Sequence, residues 1–188
     1  MGKPQIGVMG SATPALSRDE TERLREIAGR LGRAIVARDC LLVVGNAVGL
    51  PGMVFDAVQN GGGFTIAISP AISALEHHAR DVRSDTRPDV RIFTGFGFKG
   101  RNVINVRTSD IVIIFGGSMG TLNEFTIAYD EGKIIGVIEG TGGVADEVRS
   151  VVRFCNKPTQ ARVVFERDPE RLMEVCLALL KADALTAP

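Results

Sequence analysis

Tryptophan is absent from the 188 residues, tyrosine occurs once and phenylalanine nine times. Proteins that hold single-stranded nucleic acid stack bases on exposed aromatic rings, so this poor supply weighs against that class. An excess of charge is missing too, since 22 Lys and Arg balance 22 Asp and Glu. A neutral chain offers no basic footprint to nucleic-acid phosphates and no polybasic anchor to an anionic membrane. Neither nucleic acid nor membrane is an expected partner. The three cysteines, Cys40, Cys155 and Cys176, are far apart and show no CxxC or Cys/His ligand spacing. They argue against a disulfide framework and a metal site, and fit a reducing compartment. No apolar run approaches the roughly 18 residues of a membrane span. Met1-Gly2-Lys3-Pro4 lacks the apolar core of a signal peptide. A myristoylation reading of Gly2 fails because Ile6 stands where Ser or Thr is needed. The expectation is a soluble, cytoplasmic protein.

Glycine is abundant, at 22 residues, well above the roughly 7% of ordinary proteins. Length points to one domain over residues 1–188, large enough to bury about 70% of its unfolded surface. Short apolar runs alternate with helical patterns. Gln5–Met9, Cys40–Val44, Phe64–Ser69, Ile111–Phe115 and Ile134–Ile138 read as buried strands, with a short strand at Val90–Phe93 and an edge strand at Arg162–Phe165. Ser17-Arg18-Asp19-Glu20 is a capping box that opens a helix with Leu24, Ile27, Ala28, Leu31 and Ile35 on one stripe. Helices are also expected after Gly49 to about Asn60, over Arg101–Thr108, after Gly120 to about Glu131, and from Asp168 and Pro169 onward. Residues 70 to 89, which include the pair His77-His78, read as mostly irregular surface. Alternation of continuous apolar strands with helices predicts an α/β fold: a doubly wound, mostly parallel sheet in a Rossmann-like three-layer sandwich.

In such sheets ligands bind beyond the carboxyl ends of the strands. Three glycine-rich loops fall there: Gly10-Ser11 with the residues to Pro14, Gly45 to Gly49, and Gly116-Gly117-Ser118-Met119-Gly120-Thr121. Glycines let backbone amides turn inward, and a following helix N-terminus adds partial positive charge, which together suit a phosphate. The same glycines also serve tight turns in any α/β protein; the third loop is too dense in them for that alone. Gly95-Phe96-Gly97-Phe98-Lys99-Gly100 spells GxGxxG, yet residue 120, where an acidic ribose ligand belongs, is glycine. A nicotinamide cofactor is therefore rejected.

Gly116-Gly117-Ser118-Met119-Gly120-Thr121-Leu122-Asn123-Glu124 resembles the PGGxGTxxE signature of the LOG (Lonely Guy) family, with Gly120, Thr121 and Glu124 in register. Arg101 resembles the arginine of that family's RK motif, and Gly45 to Gly52 its first glycine-rich segment. The resemblance implies a Rossmann-like fold, a phosphate site at residues 116–121 and hydrolysis of nucleoside 5′-monophosphates to free base and ribose 5-phosphate. Gly116 replaces the signature Pro, Ser118 its second Gly, and Asn102 the Lys of RK. These departures resemble another branch of the same SLOG superfamily, which includes molybdenum-cofactor carriers that bind a phosphorylated pterin without converting it.

Read on their own, Gly10, Ser11, Gly45 and Gly116 to Thr121 are the candidate phosphate ligands, and Arg101 and Glu124 the candidate catalytic pair. Glu124, one turn into its helix, could stabilise an oxocarbenium-like ribosyl centre or orient water, or could simply face the helix dipole. Arg101 could clamp a phosphate, hold Glu124, or be a solvated surface residue. Two readings follow. One is a phosphoribohydrolase; the other is a non-catalytic carrier of a nucleotide or molybdopterin. Neither requires a cofactor for its action. The resemblance also implies a homodimer or homotetramer.

Overall fold

The computed structural model describes residues 2–12, 16–45, 48–80 and 86–186. Seven strands, β1 (Gln5–Gly10), β2 (Leu41–Val44), β3 (Thr65–Ser69), β4 (Val90–Phe93), β5 (Ile111–Phe115), β6 (Ile134–Ile138) and β7 (Arg162–Glu166), form one sheet. Their order is β4-β3-β2-β1-β5-β6-β7, and every pairing is parallel. The sheet is thus the expected doubly wound α/β sandwich. Winding reverses between β1 and β5, the switch point where a crevice opens beyond the strand ends.

Seven helices connect the strands: α1 (Arg18–Ala37), α2 (Gly49–Asn60), α3 (Ala74–Arg80), α4 (Gly97–Thr108), α5 (Met119–Asp130), α6 (Val144–Cys155) and α7 (Pro169–Thr186). β5 shows why the strands read as unbroken apolar runs. Its Ile111, Ile113 and Phe115 pack under α1, α2 and α7, while Val112 and Ile114 pack under α4, α5 and α6. With both faces covered, no position favours a polar residue, and each such side chain contributes about 1.5–3 kcal/mol of burial.

The α1 capping box forms as expected: Glu20 N–H donates to Ser17 Oγ at 3.3 Å, and Ser17 N–H donates to the Glu20 carboxylate at 2.9 Å. Leu24, Ala28, Leu31 and Ile35 are the buried stripe. Asp39, at φ +54, then turns the chain into β2.

Three expectations need correction. Within residues 70 to 89 a helix, α3, forms, and His77 is buried there, its Nδ1 3.0 Å from Ser69 Oγ and its Nε2 against the Arg91 guanidinium. α4 begins at Gly97 rather than Arg101, because Gly95 and Gly97 take left-handed angles that turn the chain out of β4. The sequence reading also missed α6, whose Val144, Val148, Val151 and Val152 form a helical stripe against α5 and the sheet. The expected loops at residues 13–14, 46–47 and 81–85 lie outside the described residues. Among the described residues, no helix is long and apolar enough to cross a membrane.

Candidate functional site

A cleft of about 630 Å³, counted out to its open mouth, lies at the switch point beyond the carboxyl ends of β1 and β2. Val8, Met9 and Gly10 of β1 contribute to its lining, with Gly45, Val48 and Pro51 on one side. α4 contributes Phe98, Lys99, Arg101, Asn102 and Asn105, and the start of α5 contributes Ser118, Gly120, Thr121 and Glu124. Three helices start at this cleft without a side-chain cap, since Val48, Phe96 and Ser118 make no capping hydrogen bond. The Leu50 amide is taken by the Ser11 carbonyl at 3.0 Å. Uncapped first turns carry orphan amides and partial positive charge, worth about 0.3–1 kcal/mol to an exposed anion and up to about 2 when partly buried.

Arg101 and Glu124 meet inside this cleft. Arg101 is only 9% exposed and Glu124 6%, so Arg101 is not the solvated surface residue that the sequence alone left open. Arg101 Nη1 stands 3.8 Å from Glu124 Oε1, and its Nε is buried with no hydrogen-bond partner. The guanidinium fits because residue 45 has no side chain: a Cβ on Gly45 would fall 1.1 Å from Nη1. Asn105 Nδ2 donates to Glu124 Oε1 at 3.0 Å and approaches Met9 Sδ at 3.0 Å, while its Oδ1 is buried and unpartnered.

Burial pushes the Glu124 carboxyl above its ordinary range, opposed by Arg101, the Asn105 hydrogen bond and Lys99. Burial likewise pulls the Arg101 guanidinium below its usual value, with Glu124 opposing. Guanidinium is so strong a base that Arg101 stays charged at neutral pH. A buried ion pair at 3.8 Å with an orphaned Nε does not recover the cost of leaving water.

Of the residues singled out in the sequence, Gly10, Gly45, Arg101, Ser118, Gly120, Thr121 and Glu124 line the cleft, whereas Ser11, Gly116, Gly117 and Met119 do not. Gly116 N–H donates to Thr141 Oγ1 at 2.9 Å, and the Gly116 and Gly117 carbonyls accept from Ala145 and Val144 N–H at the start of α6. This turn serves the α6 N-terminus rather than the cleft. Met119 points outward and is largely exposed. Sequence reasoning passed over Phe98 and Lys99, both inside the GxGxxG segment that it set aside. Asparagines at 102 and 105 of a helix bordering an apolar strand were the signal for a buried polar face. Among the described residues, no group of three His, Cys, Asp or Glu side chains is placed to hold a metal ion.

Residues 3–173 match the model of the SLOG cluster4 family. The chain belongs to that family. An uncharacterized protein of Archaeoglobus fulgidus is 34% identical over 157 residues, covering 80% of this chain and 93% of the relative. A probable cytokinin riboside 5′-monophosphate phosphoribohydrolase of Oryza sativa subsp. japonica is 35% identical over 101 residues, 53% of this chain but only 42% of that protein. Among solved structures, the molybdenum cofactor binding protein of Rippkaea orientalis superposes with a TM-score of 0.72 at 28% identity, covering 96% of this chain and 99% of the other. This SLOG cluster4 chain therefore has LOG-like relatives on one side and a cofactor-binding relative on the other.

Proposed function

We propose that the protein binds a phosphorylated small molecule of the nucleoside 5′-monophosphate kind in this cleft and hydrolyses its N-glycosidic bond. The phosphate lies at the uncapped first turn of α5, beside Lys99. The ribosyl centre lies between Arg101 and Glu124, and Phe98 at the mouth offers a ring face to the base. The observation that carries the reading is the buried Arg101–Glu124 pair, held on bare Gly45 in the same cleft as that helix start. Water adds at C1′ as the bond to the base breaks. The Glu124 carboxylate stabilises the positive charge developing at C1′ and accepts a proton from the attacking water, while Arg101 fixes the sugar and the carboxylate. The departing base takes up a proton, and the products are free base and ribose 5-phosphate. No cofactor is needed for these steps.

A second reading, a carrier that binds a phosphorylated pterin or nucleotide without converting it, is supported by the match to the Rippkaea protein over nearly the whole chain. The two readings differ in whether binding energy is directed to the ground state or the transition state. Product analysis over a panel of nucleoside 5′-monophosphates separates them. Base release that is lost in Glu124→Gln supports the hydrolase; retained binding with no release in either protein supports the carrier.

A further inference from the structure

Phe98, Arg101, Asn102 and Asn105 stand at the i, i+3, i+4 and i+7 spacing of one stripe of α4, and all four line the cleft. On a helix laid over an apolar sheet such a stripe is normally hydrophobic. Burial deepens along this one, from Phe98, 57% exposed at the mouth, to Asn102 at 4% and Asn105 at 1%. Asparagine is a poor helix former, and a buried amide costs free energy unless it is hydrogen-bonded. Packing alone therefore does not account for two of them here. Asn105 has the Glu124 carboxylate as its partner. Asn102 is tied differently.

Its Nδ2 donates to Asn123 Oδ1 on α5 at 2.8 Å, which fixes the plane of the amide. Its Oδ1 accepts no hydrogen bond from any described residue and, unlike Arg101 Nε and Asn105 Oδ1, is not sealed from solvent. Because Asn102 is almost wholly buried yet lines the cleft, that oxygen opens onto the cleft. Asn102 directly follows Arg101, and Asn123 directly precedes Glu124. The Asn102–Asn123 and Arg101–Glu124 contacts are thus neighbouring rungs between α4 and α5. A ligand held between Arg101 and Glu124 meets the Asn102 amide.

The chemistry of the amide narrows what it meets. Turning both amides over keeps the Asn102–Asn123 bond with donor and acceptor exchanged, so Asn102 offers the cleft either an acceptor or a donor. A base edge has fixed donors and acceptors and suits one orientation only. A hydroxyl both donates and accepts and suits either. Phe98 lies one turn, about 5.4 Å, before Asn102 on the same face, so a nucleotide with its base on that ring brings its sugar to the amide. We propose that Asn102 bonds the ribose 2′-hydroxyl and makes the cleft select ribonucleotides over 2′-deoxyribonucleotides. This rests on the nucleotide placement proposed above, with C1′ beside Glu124, because the 2′-hydroxyl sits on the carbon next to C1′. A 2′-deoxy ligand covers the amide without bonding it, and an unmatched buried polar group is the costly side of a lost hydrogen bond.

Equilibrium titration tests it, with the 5′-monophosphates of adenosine, guanosine, cytidine and uridine set against their 2′-deoxy counterparts. A Glu124→Gln background keeps the ligands intact, and Asn102→Leu is added to it; base release plays no part in the readout. In the background protein a ribonucleotide should bind roughly tenfold or more tighter than its 2′-deoxy counterpart. Asn102→Leu should bring the pair to within about twofold, by weakening the ribonucleotide while leaving the deoxynucleotide nearly unchanged. A residue that only braces α4 to α5 would weaken both alike, and that result overturns the proposal. Equal affinity within every pair, with the parent nucleosides still binding more weakly than the monophosphates, overturns it too but leaves the phosphate site standing. Absence of binding by every monophosphate removes both. Should Asn102→Leu fail to fold, as judged by circular dichroism, Asn102→Ala decides by the same ratio.

Discussion

Gly45→Ala is the mildest substitution that reaches the centre of the site. The added methyl carbon would lie 1.1 Å from Arg101 Nη1, 2.2 Å from Cζ and 2.8 Å from Nη2. Carbon and nitrogen do not approach closer than roughly 3.5 Å without bonding, so the guanidinium must move by more than about 2 Å. Gly45 does not take a left-handed φ, and the obstructing atoms are the far end of a flexible side chain. Alanine therefore strains little backbone, and the cost to stability is that of overpacking beside a buried guanidinium, roughly 1–3 kcal/mol. Binding suffers as well. Displacing a charge-assisted contact loses about 1.5–3 kcal/mol, which is roughly 10- to 150-fold in affinity. Isothermal titration with a nucleoside 5′-monophosphate measures this, with Arg101→Ala and the double variant completing a cycle. Because residue 45 acts through Arg101, the double variant should bind about as weakly as Arg101→Ala alone. Wild-type affinity in Gly45→Ala, or losses that simply add in the double variant, would show that residue 45 does not act through Arg101.

Glu124 predicts a pH dependence of stability. Its carboxyl is raised above 4.5 in the folded chain, so the folded state binds the proton more tightly than the unfolded one. The resulting stabilisation is full below pH 4.5 and is lost as pH rises through the folded value. Urea unfolding at several pH values should show the wild type losing stability relative to Glu124→Gln as pH rises above 4.5; parallel profiles would contradict this. Gly143 sits at φ +57, where an added Cβ would fall 2.1 Å from the Gly117 carbonyl oxygen, a backbone atom that cannot step aside. Gly143→Ala should therefore lower stability by roughly 2 kcal/mol or more, and an unchanged melting temperature would show that the turn under α6 relaxes freely. Burial pushes the Cys176 thiol up to about 12 and raises Cys40 as well, while Cys155 is exposed. A thiol reagent should modify one cysteine per folded chain quickly, and Cys155→Ser should abolish that fast phase.

The fold was legible because hydrophobic pattern and sheet topology carry the same information. IVIIF at Ile111–Phe115 has no polar position, and such a strand must be covered on both faces. α6 escaped because its valines alternate with charged residues, and the glycines Gly140, Gly142 and Gly143 before it drew attention to turns instead. His77 was misplaced because an adjacent histidine pair among polar residues has the composition of surface, whereas the Ser69 and Arg91 side chains that receive it come from neighbouring strands. At the site, Arg101 and Glu124 could be named because each stands in a recognisable motif. Their contact, and its dependence on Gly45, could not be read, since residues 45, 101 and 124 are brought together only by the sheet. The dense glycine loop misled in part: Gly116 and Gly117 build a turn for α6, and the polar lining comes instead from α4.

Titrating the protein with matched pairs of a nucleoside 5′-monophosphate and its parent nucleoside shows whether the cleft holds the phosphate of its ligand. The pair differs only in the group assigned to the α5 N-terminus and Lys99. The expected result is saturable binding of a monophosphate, at least tenfold tighter than its nucleoside and sharply weakened in Arg101→Ala. Equal affinity for both members of every pair, or no binding of any monophosphate, would contradict it.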